Sequence, residues 1–495
     1  MKKFILLMLV TALIALPVLS CAADEGDNGQ PGGPAETGEP GMGEQGADEV
    51  TEEECEDVLQ FPDLPDVHFG GYEFRIFNVA NETSPWQLTT VVVEEETGEA
   101  LNDAIFRRNR RMEERFGFTL VQTDFGGTGA VVDAARRSIQ AASDDFDLAM
   151  IAALRILPLA QDGMLEMIDR IPYVDLSQPW WDQDMIRDFS IGNRLFFAAS
   201  SFTFNHYSAT VPVLFNKQLH ADLGLDCPYQ LVHEGRWTLD RFAEMGRAAL
   251  RDLNGDGIFD HNDQWGYLAF YHIYGITLLN GLDTGAIVKD ADDMPVLNTG
   301  AESYITRVLA LMDVLNEGWL FDGTVRGVER PEHIFLEGRA LFWSEFLNWA
   351  TILRGMDNDF GILPMPKFDE QQERHRTGVG GPHVKAIPVT TVDLERTGII
   401  LEALSAESRL TTLPVYYDTM LVNQVMNRNE ESAEMLDIIF ANRAYEPGRL
   451  FWGPNVSTPI ARAIRDNNRD VASLIERHEP AALASIQSTI DAFLN

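Results

Sequence analysis

A chain of 495 residues is too long for one ordinary core and points to two large lobes. Apolar residues make up 45% and charged residues 23%, the proportions of a chain that mostly folds. The net charge of −39 argues against nucleic acid and anionic lipid as partners, since both need basic surface.

In chain order, Lys2 and Lys3 precede an apolar run from Phe4 to Leu19 that only Thr11 and Pro17 interrupt. The run is short for a membrane span and suits a signal peptide over residues 1–20. It ends in Val18-Leu19-Ser20-Cys21. An apolar residue, a small residue and then Cys resemble the lipobox of bacterial lipoproteins, although leucine at the second place is less usual. The resemblance implies that Cys21 becomes the acylated mature N-terminus, and several acyl chains hold a protein stably on a membrane. Ordinary cleavage near Ala22-Ala23, with Cys21 incidental, is the competing reading.

Residues 21–66 read as a tether. Between 22 and 57 there are thirteen acids, no Lys or Arg and no aromatic residue. Such a segment buries too little apolar surface to offset chain entropy, so disorder is expected. As a coil it spans on the order of 30 Å, further if charge repulsion stretches it. Cys55 lies in the tether and Cys227 in the turn Asp226-Cys227-Pro228. Three cysteines imply no disulfide framework, and a Cys55–Cys227 bridge stays open.

Tyr72 to Phe77 alternates as a strand does, and a helix follows over about Ala100–Phe116 with Ile105, Met112 and Phe116 on one face. Phe118–Gln122 is a second strand, Val131–Ala142 a helix and Phe146–Ile151 a third strand. This alternation predicts a parallel α/β sheet. Strands are expected at Leu195–Ala199 and Thr210–Phe215. Helices are expected at Trp237–Leu250 with Thr238 as N-cap, Tyr304–Glu317, Thr397–Ser405 and Ala433–Ala444. Pro179-Trp180-Trp181-Asp182 reads as structural.

Asp252-Leu253-Asn254-Gly255-Asp256-Gly257-Ile258-Phe259-Asp260-His261-Asn262-Asp263 has calcium-loop spacing. Asp252, Asn254, Asp256, Asp260 and Asp263 stand at positions 1, 3, 5, 9 and 12, and Ile258 offers its carbonyl at position 7. Asp263 replaces the usual Glu, as in dockerin-type loops, so weak binding of about 10⁻⁵–10⁻³ M is expected. Because the loop joins a helix to a strand, structural Ca2+ is the expectation. A solvated acidic turn is the alternative.

Several short motifs recur in a set order: a strand ending Phe215-Asn216-Lys217, then Gly235-Arg236-Trp237-Thr238-Leu239-Asp240, Gly361-Ile362-Leu363-Pro364-Met365-Pro366 and Ala386-Ile387-Pro388. Each is weak alone. Together, behind a lipobox, they resemble the solute-binding proteins of carbohydrate ABC importers, the maltose-binding-like family, over nearly all of residues 70–495. The resemblance implies an α/β, two-lobe periplasmic-binding-protein-like fold with three interlobe crossings, near Phe215, Pro364 and Arg409. The N-terminal lobe would be 67–214 plus 366–408, and the C-terminal lobe 215–365 plus 409–495. It implies a monomer on the extracytoplasmic face of the cell membrane, with an ABC permease as partner, a carbohydrate between the lobes and no catalysis.

A sugar site needs aromatic platforms and polar groups for hydroxyls. The family's cleft loops fall on Trp86, Arg155, Tyr207 with Asn205 and His206, Tyr271 and His272 with Tyr274, Glu345 and Trp349 with Asn348, and Trp452 with Phe451. Lobe packing is the competing role for each. A peptide or other polar ligand, a membrane sensor in place of a permease, and a glycan-active enzyme remain as alternatives. No Gly-x-Ser-x-Gly, His-Glu-x-x-His or phosphate-loop motif marks catalysis.

Overall fold

A computed structural model describes residues 60–494 apart from 81–88, 325–327, 350–352, 354–355, 357 and 419–429. The signal segment, Cys21, Cys55 and Trp86 lie outside the described residues.

The first lobe begins as the alternation predicts. β1 (Tyr72–Val79) leads to α1 (Ala100–Phe116) and β2 (Phe118–Phe125). α2 (Thr128–Gln140), β3 (Leu148–Ala152) and α3 (Ala153–Gln161) follow. Glu99 caps α1 by accepting the amide of Asn102 at 2.7 Å. Gly117 ends it at φ +65°, the left-handed position that favours glycine. Ile105, Met112 and Phe116 are buried on the predicted face. Arg108 is buried there as well, and its guanidinium donates to the carbonyls of Val91 and Phe202 and to Ser408 Oγ.

The chain then forms α4 (Gln183–Phe189), β4 (Val213–Asn216), α5 (Leu239–Ala249), β5 (Trp265–Ala269), β6 (Leu320–Asp322), β7 (Ala340–Ser344) and β8 (Phe360–Leu363). It returns in β9 (His383–Ala386) and α6 (Leu394–Glu407). Thr238 Oγ1 accepts from Arg241 N, as its predicted cap role requires, and Asp393 caps α6 the same way through Arg396 N.

Two sheets result. The first has the order β9-β3-β1-β2, with β1 parallel to β2 and β3 and with β9 antiparallel to β3. The second has the order β8-β4-β7-β5-β6. There β5 runs parallel to β6 and β7, while β4 runs antiparallel to β7 and β8. Both sheets are therefore mixed: the parallel reading holds for β1, β2 and β3, and β9 joins them antiparallel. Every residue of β3, β5 and β7 is buried, as strands covered on both faces must be.

Two expectations shift. Leu195–Ala199 is buried throughout but is not a strand, since only the isolated bridge Ala198–Lys385 pairs it. The run is apolar because it is core, not because it joins a ladder. Phe215 lies inside β4 of the second sheet, so the passage between lobes comes before Val213.

Three segments lie side by side at that passage. Thr210 bridges Val379, and Val211 donates to the Gly378 carbonyl at 2.9 Å. Thr377 and Gly378 pair in parallel with Arg443 and Ala444. Beside them, Trp180 and Trp181 point both indole N–H groups at one carboxylate, Glu402, each at 2.9 Å. This fixes a structural role for the tryptophan pair.

Candidate functional site

In open α/β sheets, the carboxyl ends of parallel strands form the ligand edge, because the loops there are free of the ladder. In the first lobe that edge holds Ala152, Ala153, Leu154 and Arg155. In the second it holds Glu345 after β7, Phe270 and Tyr271 after β5, and Asp322 at the end of β6. The edges meet at Gly380–Gly381. A Cβ on Gly380 would lie 2.0 Å from the Phe346 ring, and one on Gly381 would touch the Leu154 side chain at 3.8 Å. Leu154 and Phe346 thus flank a glycine pair that runs between the lobes, and Leu154 is 46% exposed.

Glu345 is 6% exposed. Its Oε1 accepts the Phe346 amide at 3.0 Å. Burial pushes its carboxyl up to about 7, partly offset by that amide and by the nearby Arg449. Burial pushes the Arg449 guanidinium down to about 10, against the pull of Glu446 and Glu345. Arg449 Nη1 has no hydrogen-bond partner among the described residues. A carboxyl with spare acceptor capacity and a guanidinium with a spare donor are what neighbouring hydroxyls of a ligand satisfy. Close by, Tyr274 donates to Asp322 Oδ2 at 3.0 Å, which ties the helix after β5 to the end of β6.

The remaining candidates separate. Arg155 is exposed in the first turn of α3 and makes no ion pair among the described residues. Tyr271 is half-buried with the Arg465 guanidinium 5.0 Å from its ring centre. Trp349 is half-buried against Trp343. The side chain of His272 is outside the described set. Tyr207 packs edge-on to Phe440 at 5.3 Å, with Arg443 over its ring at 4.6 Å. His206 is buried, and burial pushes it far below the usual histidine range. Trp452 is 3% exposed and donates its indole N–H to Thr489 at 3.0 Å, so it packs in the core. Of the candidates, Arg155 stands at the ligand edge of the first lobe, and Glu345 and Tyr271 at that of the second. Arg449, Phe346 and the glycine pair went unread. Arg449 sits in a one-turn helix, Pro447–Leu450, too short to show a period.

At the calcium-type loop, Asp252 accepts the amides of Gly255 and Gly257, and Asp263 those of Leu253 and Asp260. Asn254 and Asp256 each accept the amide two residues on. Among the described residues no group of three or more His, Cys, Asp or Glu is gathered as a metal ion would need. The side-chain oxygens close the loop on its own backbone.

No family model and no curated protein matches this sequence. Solved structures do. The cyclic α-maltosyl-1,6-maltose binding protein from Arthrobacter globiformis superposes with a TM-score of 0.56 at 14% identity, over 84% of this chain and 99% of that one. The chain has the two-lobe periplasmic-binding-protein fold. An ABC substrate-binding protein from Listeria monocytogenes, Lmo0181 in complex with cycloalternan, gives 0.55 at 10% identity over 84% and 99%. UgpB from Mycobacterium tuberculosis, in complex with glycerophosphocholine, gives 0.54 at 13% over 85% and 99%. At these identities the likeness is one of fold.

Proposed function

We propose that this chain is an extracytoplasmic binding protein that captures a mono- or oligosaccharide between its lobes and delivers it to an ABC permease. The observation that carries the reading is the two-lobe fold, with the buried Glu345, near Arg449, next to Phe346 at the glycine pair that runs between the lobes. Neighbours of this fold are described with cycloalternan or a cyclic maltosyl-maltose as ligand. Glu345, Arg449 and Arg155 would hold hydroxyls, with Phe346 and Tyr271 against the apolar faces of sugar rings. Cys21 would carry the acyl chains, and the acidic tether would let the folded body stand clear of the membrane. Calcium at Asp252–Asp263 would brace the joint between α5 and β5, a reading supported by ligand spacing alone.

The test is thermal unfolding of residues 58–495 against a panel of mono- and oligosaccharides. A ligand that binds only the folded state adds about 2.7 kcal/mol at a hundredfold excess over its Kd. A large rise with one sugar class, and no product on incubation, supports capture. No rise with any saccharide, or turnover of one, overturns it.

A further inference from the structure

A cavity of about 290 Å³ has none of Arg155, Glu345, Phe346 or Arg449 in its wall. Its walls come from α4 of the first lobe, from residues 280–289 of the second, and from the passing segments at Arg376 and Ala444–Pro447. None of the sequence-derived site candidates lines it.

Most charges in its wall are already engaged. Arg187 holds Asp184 and Asp188 at 2.7 and 2.8 Å. Lys289 donates to Asp293 and Ser190 Oγ at 2.7 and 2.8 Å. Glu446 accepts from Ser457 at 3.0 Å and from the Ile287 amide. What remains open is neutral or loosely paired. Asn280 and Thr284 are each 8% exposed, and neither side chain makes a hydrogen bond among the described residues. Both line the cavity. Arg376 stands 3.5 Å from Asp283, too far for a good hydrogen bond.

Neither side chain is sealed in the interior: both face the cavity, where an occupant can reach them. The chemistry says what would satisfy these. An anion would meet Asp188, Asp283 and Glu446, and a cation would meet Arg187, Lys289 and Arg376. A hydroxyl both donates and accepts, so a vicinal diol can serve an amide, a hydroxyl and a guanidinium–carboxylate pair together. The volume lies at the small end of ligand pockets.

We infer that this cavity is a second binding site, for a neutral polyhydroxylated molecule the size of a monosaccharide, held by Asn280, Thr284 and the Arg376–Asp283 pair. Because its walls belong to both lobes and to the segments between them, its occupant favours one lobe arrangement over others and is coupled to the cleft.

The test is calorimetric titration of the folded chain with D-glucose and with myo-inositol, on the wild type and on Thr284→Val, Thr284→Ser, Asn280→Leu and Glu345→Gln. Binding of at least one probe, weakened tenfold or more by Thr284→Val and Asn280→Leu and kept by Thr284→Ser, is expected. Thr284→Val preserves shape, so its folding can be checked by circular dichroism and loss of binding assigned to the hydroxyl. Glu345→Gln separates the sites, since a loss confined to that variant reports the cleft. No binding of either probe, or binding that only Glu345→Gln weakens, overturns the second site whatever the cleft proves to hold.

Discussion

Asp182 and Arg443 form an ion pair sealed from solvent, with Nη1 2.9 Å from Oδ2 and the two side chains 7% exposed or less. Tyr445 adds its hydroxyl to the same carboxylate at 2.7 Å, and the Met185 amide donates at 3.0 Å. Burial alone would raise the Asp182 carboxyl, yet Arg443, His206 and the hydrogen bonds from Tyr445 and Met185 together outweigh it and hold the group below the usual range. The pair ties the start of α4 to the segment that runs beside Thr377–Gly378.

Breaking that pair from one side leaves a buried charge without its partner. Asp182→Ala should cost about 3–5 kcal/mol, read as a lower midpoint in urea unfolding. Replacing both, as Asp182→Leu with Arg443→Met, should cost less than either single change. A single variant within about 0.5 kcal/mol of wild type would show the pair to be structurally idle.

Gly380→Ala puts a methyl group where the Phe346 ring lies. The ring must move, so stability should fall by about 1–3 kcal/mol. Saccharide affinity should fall with it, because the ring moves against the hinge. Phe346→Leu in the same chain should restore part of both. Equal affinities for wild type and Gly380→Ala would remove Phe346 from the site.

Glu345 and Glu402 are both pushed up to about 7 by burial, Glu402 against the pull of its two indole donors. A carboxyl raised on folding holds its proton better in the folded state. The stability it supports is full below the ordinary glutamate range and is lost as pH rises through about 7. Stability should therefore decline between about pH 4.5 and 7.5. Glu345→Gln should flatten that decline and gain about 1–3 kcal/mol at pH 8, with Glu402 keeping the rest. Chemical unfolding at a series of pH values checks the slope, and an unchanged slope in Glu345→Gln would place its titration elsewhere.

The loop at Asp252–Asp263 gives a separate readout. Metal-stripped protein should melt higher in millimolar calcium, and Asp252→Asn with Asp256→Asn should abolish the rise. Equal melting with and without calcium would leave a turn held by its own amides alone.

Much of the first lobe was legible because each strand and helix there carries its own period. Tyr72–Phe77 alternates, and Ile105, Met112 and Phe116 recur on one helical face. Leu195–Ala199 misled because a buried irregular run and a buried strand are equally apolar. The site was harder. Trp452 and Tyr207 look like sugar platforms in sequence, yet Thr489 and Phe440 claim them in the fold. Arg449 and Glu345 are 104 residues apart, and no local pattern announces that they come near each other. Thr284 and Asn280 carry no motif either, since their meaning lies in what they fail to touch.

The three segments that pass side by side at Thr210, Gly378 and Ala444 have a mechanical consequence. Hydrogen bonds at 2.8–3.0 Å join each to its neighbour, so they move as a ribbon. A ribbon resists shear and stretching along its strands and yields mainly to flexing across its plane. The lobes therefore share one soft coordinate, and a molecule that fits at any point along it selects an angle.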